Sequence, residues 1–280
     1  MRVSSRTTNK IAKILIWTSA VLVISVLLFI ISYILVRGLP VLSFSFLTEP
    51  PSDMGREGGI SSMIIGTLAI TSLAVLIAVP FGIGTAIYLA EYTRDGVITR
   101  IIRFSAESLA GIPSIVYGLF GFIFFVIYLG LGWSIISGSL TLAFMVLPTI
   151  IRTSEEAIIA TPSLYREASY SLGASKWQTI RKVVFPSAIR GVSNGVILSI
   201  GRCVAETAAV MLTAGSALRI ASSIFSPTRT MAVHFYILAM EGISADAAFG
   251  TAAALIILIL IINAAANSAV NRFIGKDGKR

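Results

Sequence analysis

The strongest constraint on this chain is a set of long stretches without charge. Ile14–Val36, Ile60–Ala90, Ser108–Ile151 and Ala247–Asn271 contain no Asp, Glu, Lys or Arg, and Gly191–Leu218 contains only Arg202 and Glu206. About 20 apolar residues in a helix cross a hydrocarbon layer of about 30 Å while satisfying every backbone group internally. The 44 residues of Ser108–Ile151 would reach about 66 Å as helix, enough for two crossings. Gly130-Leu131-Gly132 and Ser137-Gly138-Ser139 supply the turn between them. The count is six spans, with both termini on one side. Ile14–Val36 follows a basic stretch as a signal peptide would, but it is too long and lacks a small-x-small cleavage site, so it reads as a retained anchor. Ile60–Ala90 reads as one long span, with a kink or close helix contact expected around Pro80, Gly82 and Gly84.

Composition excludes the main alternatives. With 56% apolar and 12% charged residues, a water-soluble enzyme is ruled out. The net charge of +9 comes without any basic run or aromatic-basic interleaving, so it does not signal nucleic-acid binding. Seventeen of the 22 Lys and Arg residues lie in alternate segments, namely the N-terminus, 91–107, 152–190 and the C-terminus. The positive-inside rule makes those segments cytoplasmic and places both termini inside. One cysteine, Cys203, forbids an internal disulfide, and one histidine, His234, cannot complete a zinc site or a His-based triad alone. Met231–Ile243 is apolar but too short to cross, which fits an interfacial or re-entrant helix on the outer side.

The loop 152–190 patterns as two short helices. Thr161-Pro162 reads as N-cap and first helical position of a helix reaching about Leu172, which Gly173 ends with a left-handed cap. Ser175-x-x-Gln178 is a capping box opening a second helix through Val184, with Pro186 where the fifth span begins. Tyr165, Leu172 and Trp177 place large apolar groups on this polar elbow, suiting either a partner surface or lipid headgroups.

Glu167-Ala168-Ser169, Gly173 four residues further on, and Val183-x-Phe185-Pro186 resemble the EAA loop of ABC importer permeases, E-A-A-x3-G-x9-I-x-L-P. The resemblance implies an all-α integral membrane fold of the type I ABC importer permease (MetI-like) kind. It further implies six transmembrane helices and a cytoplasmic coupling helix that docks on an ATPase through Glu167, Ala168 and Gly173. No G-x4-G-K-[ST] loop occurs here, so ATP and Mg²⁺ belong to the separate ATPase chain, and this chain has no cofactor and is no enzyme. Gly58-Gly59-Ile60, Ile65–Leu68, Ala78–Gly82, Ala86–Tyr92 and Ala110–Gly121 are similar to phosphate importers, specifically the PstA-type subunit. The implied domains are residues 1–36 as N-terminus and anchor, 58–271 as permease core including loop 152–190, and 272–280 as a cytoplasmic tail. The implied partners are a PstC-type permease, a PstB-type ATPase dimer, a PstS-type phosphate-binding protein and membrane lipid, in a prokaryotic inner membrane. A permease for sulfate or molybdate, or an ATP-independent channel, is the alternative.

Arg202 falls near the middle of the fifth apolar run, where a charge costs about 2.5–3.5 kcal/mol. At i and i+4, Arg202 and Glu206 would share a helical face, as a self-neutralising pair, an interhelical staple, or an anion station using guanidinium geometry. The stretch Arg202–Ala208 resembles the R-A-x-G-E-T-A segment of phosphate permeases, which implies a substrate pathway at Arg202, Glu206 and Thr207. Beside an anion site, a carboxylate at Glu206 would accept a hydrogen bond from the proton that phosphate keeps near neutral pH and repel sulfate, or would release Arg202 by re-pairing with it. Asn194, Asn263 and Asn267 are expected to hydrogen-bond between helices. Cys203, Gly118 and Gly121 are expected to pack, and His234 to be interfacial or hydrogen-bonded.

Overall fold

The computed structural model describes residues 5–94 and 96–277, and side chains from 9 to 272 within that range. It is helical apart from one small hairpin and connecting segments, the longest of them at 214–230. The elements are α1 (Ser5–Gly38), α2 (Phe44–Thr48), the hairpin β1 (Pro51–Ser52) and β2 (Glu57–Gly58), α3 (Ser61–Ile87), α4 (Val97–Ala110), α5 (Ser114–Gly121), α6 (Ile135–Ile159), α7 (Ser163–Ser171), α8 (Lys176–Thr179), α9 (Phe185–Val204), α10 (Ala208–Thr213), α11 (Met231–Met240) and α12 (Ala245–Asp277). Wide π turns at Tyr88–Tyr92 and Phe122–Tyr128 lengthen α3 and α5, and one at Ile180–Val184 joins α8 to α9.

Among the described residues, five helices are long and apolar enough to cross a membrane: Asn9–Val41, Ser61–Tyr92, Ile135–Ile159, Lys176–Val204 and Ala245–Arg272. The third expected span is instead a broken pair, Val97–Ala110 and Ser114–Tyr128, bent by 100°. Ile112-Pro113 causes the break, because a residue before proline is driven out of helical backbone and Pro113 itself sits at ψ 139°. The segment assigned to the loop 91–107 is therefore mostly helix. Gly130 and Gly132 do make the following turn, at φ 67° and 64°. Ser137-Gly138-Ser139 does not: Ser134 caps α6, its Oγ accepting from the Ser137 N–H, so these residues form the helix's opening turn.

The fifth span also departs from expectation. The helix starts at Lys176 rather than Gly191, ends at Val204, and is interrupted at Ala205–Thr207 before the short α10. Pro186 does not open a new helix, because the π turn before it already lacks regular i→i−4 pairing and the missing proline N–H costs nothing. Glu206 holds the break at the other end, its Oε1 accepting from the Ala209 N–H.

The core lies where α3, α6 and α9 meet α5 and α10, around Ile70, Leu142, Met145, Ile150, Cys203 and Val210. Small residues set the helix spacing. A Cβ on Gly82 would stand 2.6 Å from Ile150 Cγ2 and one on Gly118 2.8 Å from Ala209 Cα, while Gly121 abuts Thr141. The close helix contact expected near Pro80 thus falls at Gly82, within a continuous helix. Ser139 Oγ donates to Ile70 O at 3.1 Å, adding a polar tie between α6 and α3. Helix α1 stands apart, gripped near its end by Tyr33 against Phe249 of α12 and by Arg37 over both rings.

Candidate functional site

The two predicted sites flank the long helix 176–204, one before its start and one around its end. At its start, α7 and α8 form the expected elbow. Pro162 occupies the N-cap of α7 rather than its first turn, a one-residue correction to the Thr161-Pro162 reading, because ψ 136° keeps it extended. Gly173 has φ 81° and open space around it, so glycine is needed there for backbone geometry and not for room. Ser175 and Gln178 make the expected reciprocal capping box. No residue of α7 is buried, Glu167 and Ala168 are exposed, and Tyr165, Leu172 and Trp177 stand out into solvent.

Under that exposed surface lies a buried clamp that motif reasoning missed. Arg166 donates from Nε and Nη2 to Glu91 Oε1 at 2.9 and 2.7 Å. It also donates to the carbonyls of Thr161 at 2.7 Å and Ile158 at 2.9 Å. One guanidinium thereby binds the end of α3, the last turn of α6 and α7 into a unit. The charged pair was visible in the sequence at the EAA motif and at Leu89-Ala90-Glu91, but a separation of 75 residues hid the contact. Lys176 Nζ over the Tyr92 ring at 4.9 Å and Ser169 Oγ to Thr179 Oγ1 at 2.8 Å brace the same unit. Beside it, Arg103–Glu155 at 2.7 Å and Arg152, shared between Glu107 and Glu156, line a cavity of about 200 Å³.

At the far end, Arg202 lies in the last turn of α9 rather than mid-span. Phe185 to Arg202 spans about 25 Å of helix. The expected i, i+4 pair is not formed: the helix stops at Val204, and Arg202 and Glu206 make no ion pair within 4.0 Å among the described residues. Glu206 Oε1 caps α10, its other oxygen has no partner there, and Thr207 is the N-cap residue of α10. Of the three predicted pathway residues, only Arg202 lines the neighbouring groove; Glu206 and Thr207 sit in the helix break beyond it.

Arg202 lines an open-sided groove of about 910 Å³ together with Thr149, Asn194, Asn263 and Asn267. This corrects the reading of the asparagines. None makes an interhelical hydrogen bond among the described residues, and Asn263 Oδ1 is buried without a partner. Cys203 packs into the core as expected.

His234 is buried at 0% exposure, which removes its interfacial reading. The reason is local: Thr230 caps α11, and most of that helix packs inward on α3, α10 and α12. Arg229 donates to Ser216 O at 2.9 Å and meets His234 Nδ1 at 3.3 Å. Guanidinium only donates, so Nδ1 accepts and the imidazole is neutral with its proton on Nε2. Burial first and Arg229 second push the His234 pKa down to about 4. Burial also lowers the Arg229 pKa, and Glu241 acts in the opposite sense. Gly55, at φ 95°, lets the hairpin loop press on this ring; a Cβ there would meet His234 Cε1 at 2.5 Å. Among the described residues no three of His, Cys, Asp and Glu gather into a metal-binding set.

Helices of membrane length, with an exposed elbow before the long helix 176–204 and a groove lined by Arg202 near its end, form a multi-pass membrane bundle, and its family makes it a translocation subunit rather than an enzyme. Residues 78–275 match the family described as binding-protein-dependent transport system inner membrane component, and the chain belongs to that family. It is 36% identical over 275 residues to the probable ABC transporter permease protein YqgI of Bacillus subtilis, covering 92% of this chain and 94% of that one. It is 37% identical over 227 residues to the phosphate transport system permease protein PstA of Mycobacterium leprae, covering 80% and 74%. A chain of the inward-facing MetNI methionine ABC transporter superposes with TM-score 0.63 at 21% identity, covering 77% of this chain and 95% of that one. One from a bacterial alginate ABC transporter does so with TM-score 0.69 at 14% identity, covering 96% of both. The fold is that of type I ABC importer permeases. Membership makes the chain a multi-pass inner-membrane protein that works with an ATPase and an extracytoplasmic binding protein.

Proposed function

We propose that this chain is the PstA-type permease of an ATP-driven importer of inorganic phosphate, with both termini in the cytoplasm. Its implied partners are a PstC-type permease, a PstB-type ATPase dimer and a PstS-type binding protein. The observation that carries the reading is Arg202: a guanidinium with no ion-pair partner among the described residues, lining a groove with Thr149, Asn194, Asn263 and Asn267, in a chain whose relatives include phosphate permeases. Guanidinium offers paired, permanently charged donors that match phosphate oxygens.

The mechanism follows from the long helix 176–204. The ATPase holds α7 through Glu167, Ala168 and the turn at Gly173, and ATP-driven closure moves that elbow. The Arg166–Glu91 clamp passes the motion to α3 and α6, and the continuous helix passes it to Arg202. The groove then opens alternately to the two sides of the membrane. Glu206 offers its unpartnered oxygen to the proton of hydrogen phosphate, which fully deprotonated sulfate lacks. Uptake of labelled phosphate and, separately, labelled sulfate into vesicles carrying the assembled complex tests the reading. ATP-dependent accumulation of phosphate alone is expected; accumulation of sulfate alone, or of phosphate without ATP, overturns it.

A further inference from the structure

The groove below Arg202 holds more polar groups than an anion station needs. On α9, Asn194 and Arg202 are eight residues apart and share its wall; on α12, Asn263 and Asn267 occupy successive turns of the facing wall, and Thr149 of α6 closes the floor. The two long helices run antiparallel, because the α9 C-terminus and the α12 N-terminus both lie at the end opposite α7. Asn194 lies about 12 Å along the α9 axis from Arg202, toward the α7 end. Away from these asparagines α12 presents ordinary apolar surface, with Ile261 at 58% exposure. Polar side chains within a membrane face protein or a water-filled path, since lipid offers them no partner. Here three amides gather on one strip, and none pairs with a neighbouring helix among the described residues.

We infer that Asn194, Asn263 and Asn267, with Thr149, form a second and uncharged oxyanion-binding subsite between Arg202 and the α7 face of the membrane. The inference rests on Arg202 being the anion station. Amide N–H and hydroxyl groups replace part of the hydration of an oxyanion without a fixed countercharge. An ion leaving Arg202 for this subsite is thus bound progressively more weakly along its route. A second arginine there would trap it, and an apolar wall would strip it of water without compensation.

The test uses the assembled complex with Cys203→Ser in this chain and one new cysteine at a time, Asn263→Cys, Asn267→Cys or Ile261→Cys, the control on the other side of the helix. A charged sulfonate thiol reagent should label positions 263 and 267 and not 261, and inorganic phosphate during ATP turnover should slow that labelling severalfold. In parallel, the double variant Asn263→Leu/Asn267→Leu should assemble, retain binding-protein-stimulated ATPase activity and lose phosphate uptake by about tenfold or more, the equivalent of one lost hydrogen bond to a charged group. Absence of labelling at 263 and 267, or wild-type uptake by the double variant, overturns the subsite. Arg202→Gln separates the two readings. If it abolishes uptake while the asparagine variants behave as wild type, only the subsite fails; if it transports normally, the station on which the subsite depends fails first.

Discussion

Replacing Arg166 by alanine should uncouple ATP hydrolysis from transport. Four hydrogen bonds of 2.7–2.9 Å end on this guanidinium, and its partner Glu91 has only 6% side-chain exposure. Truncation leaves a buried carboxylate without its cation, a loss of about 3–5 kcal/mol, and frees two carbonyls at the end of α6. That exceeds the few tenths of a kcal/mol typical of an exposed pair such as Arg152–Glu156 and is a large fraction of a domain's stability. Glu91→Gln should cost less, about 1–2 kcal/mol, because an amide oxygen still accepts from the guanidinium. The assay is the ratio of phosphate imported to ATP hydrolysed in reconstituted vesicles, with the melting temperature of the purified complex measured alongside. Arg166→Ala should lower both, and the ratio should fall even at temperatures where the complex stays assembled. An unchanged ratio and melting temperature would refute the view that the clamp transmits motion from α7 to the spans.

Other outcomes follow from single contacts. Gly118→Ala should destabilise the complex by about 1–3 kcal/mol, read as a lowered Tm, since the new methyl faces the Ala209 backbone at 2.8 Å. His234 is neutral in the folded state with its pKa held down to about 4, whereas the unfolded chain takes up a proton near pH 6.5. Its contribution is therefore complete above about pH 6.5 and falls away progressively toward pH 4. A pH series of Tm should show that decline in wild type and a flatter profile in His234→Gln. Glu206→Gln should narrow the preference for phosphate over sulfate in uptake competition; an unchanged preference would dismiss the carboxylate as a selectivity element.

The apolar runs made the membrane helices legible, but not where they stop. Across Gly111-Ile112-Pro113 and Ala205-Glu206-Thr207 both flanks are apolar, so hydropathy continues where the backbone does not. The signals present were local: a pre-proline residue in the first case, and a lone carboxylate able to cap the next turn in the second. The elbow was readable almost to the residue because Gly173, Ser175 and Gln178 act within one turn of themselves. The Arg166–Glu91 clamp and the groove asparagines were not, because each depends on which helix faces which. One contact over the His234 ring comes from far away in the chain, at Gly55, whose missing side chain leaves room for it.

The central claim is that Arg202 handles the transported anion, and paired substitutions at that residue test it most directly. Initial rates of ATP-dependent phosphate uptake should be compared for wild type, Arg202→Lys and Arg202→Gln in complexes shown to be intact. The expected order is wild type, then lysine with a point charge but no paired donors, then glutamine with little uptake. Uptake by the glutamine variant at the wild-type rate would contradict the claim and leave Arg202 a structural residue.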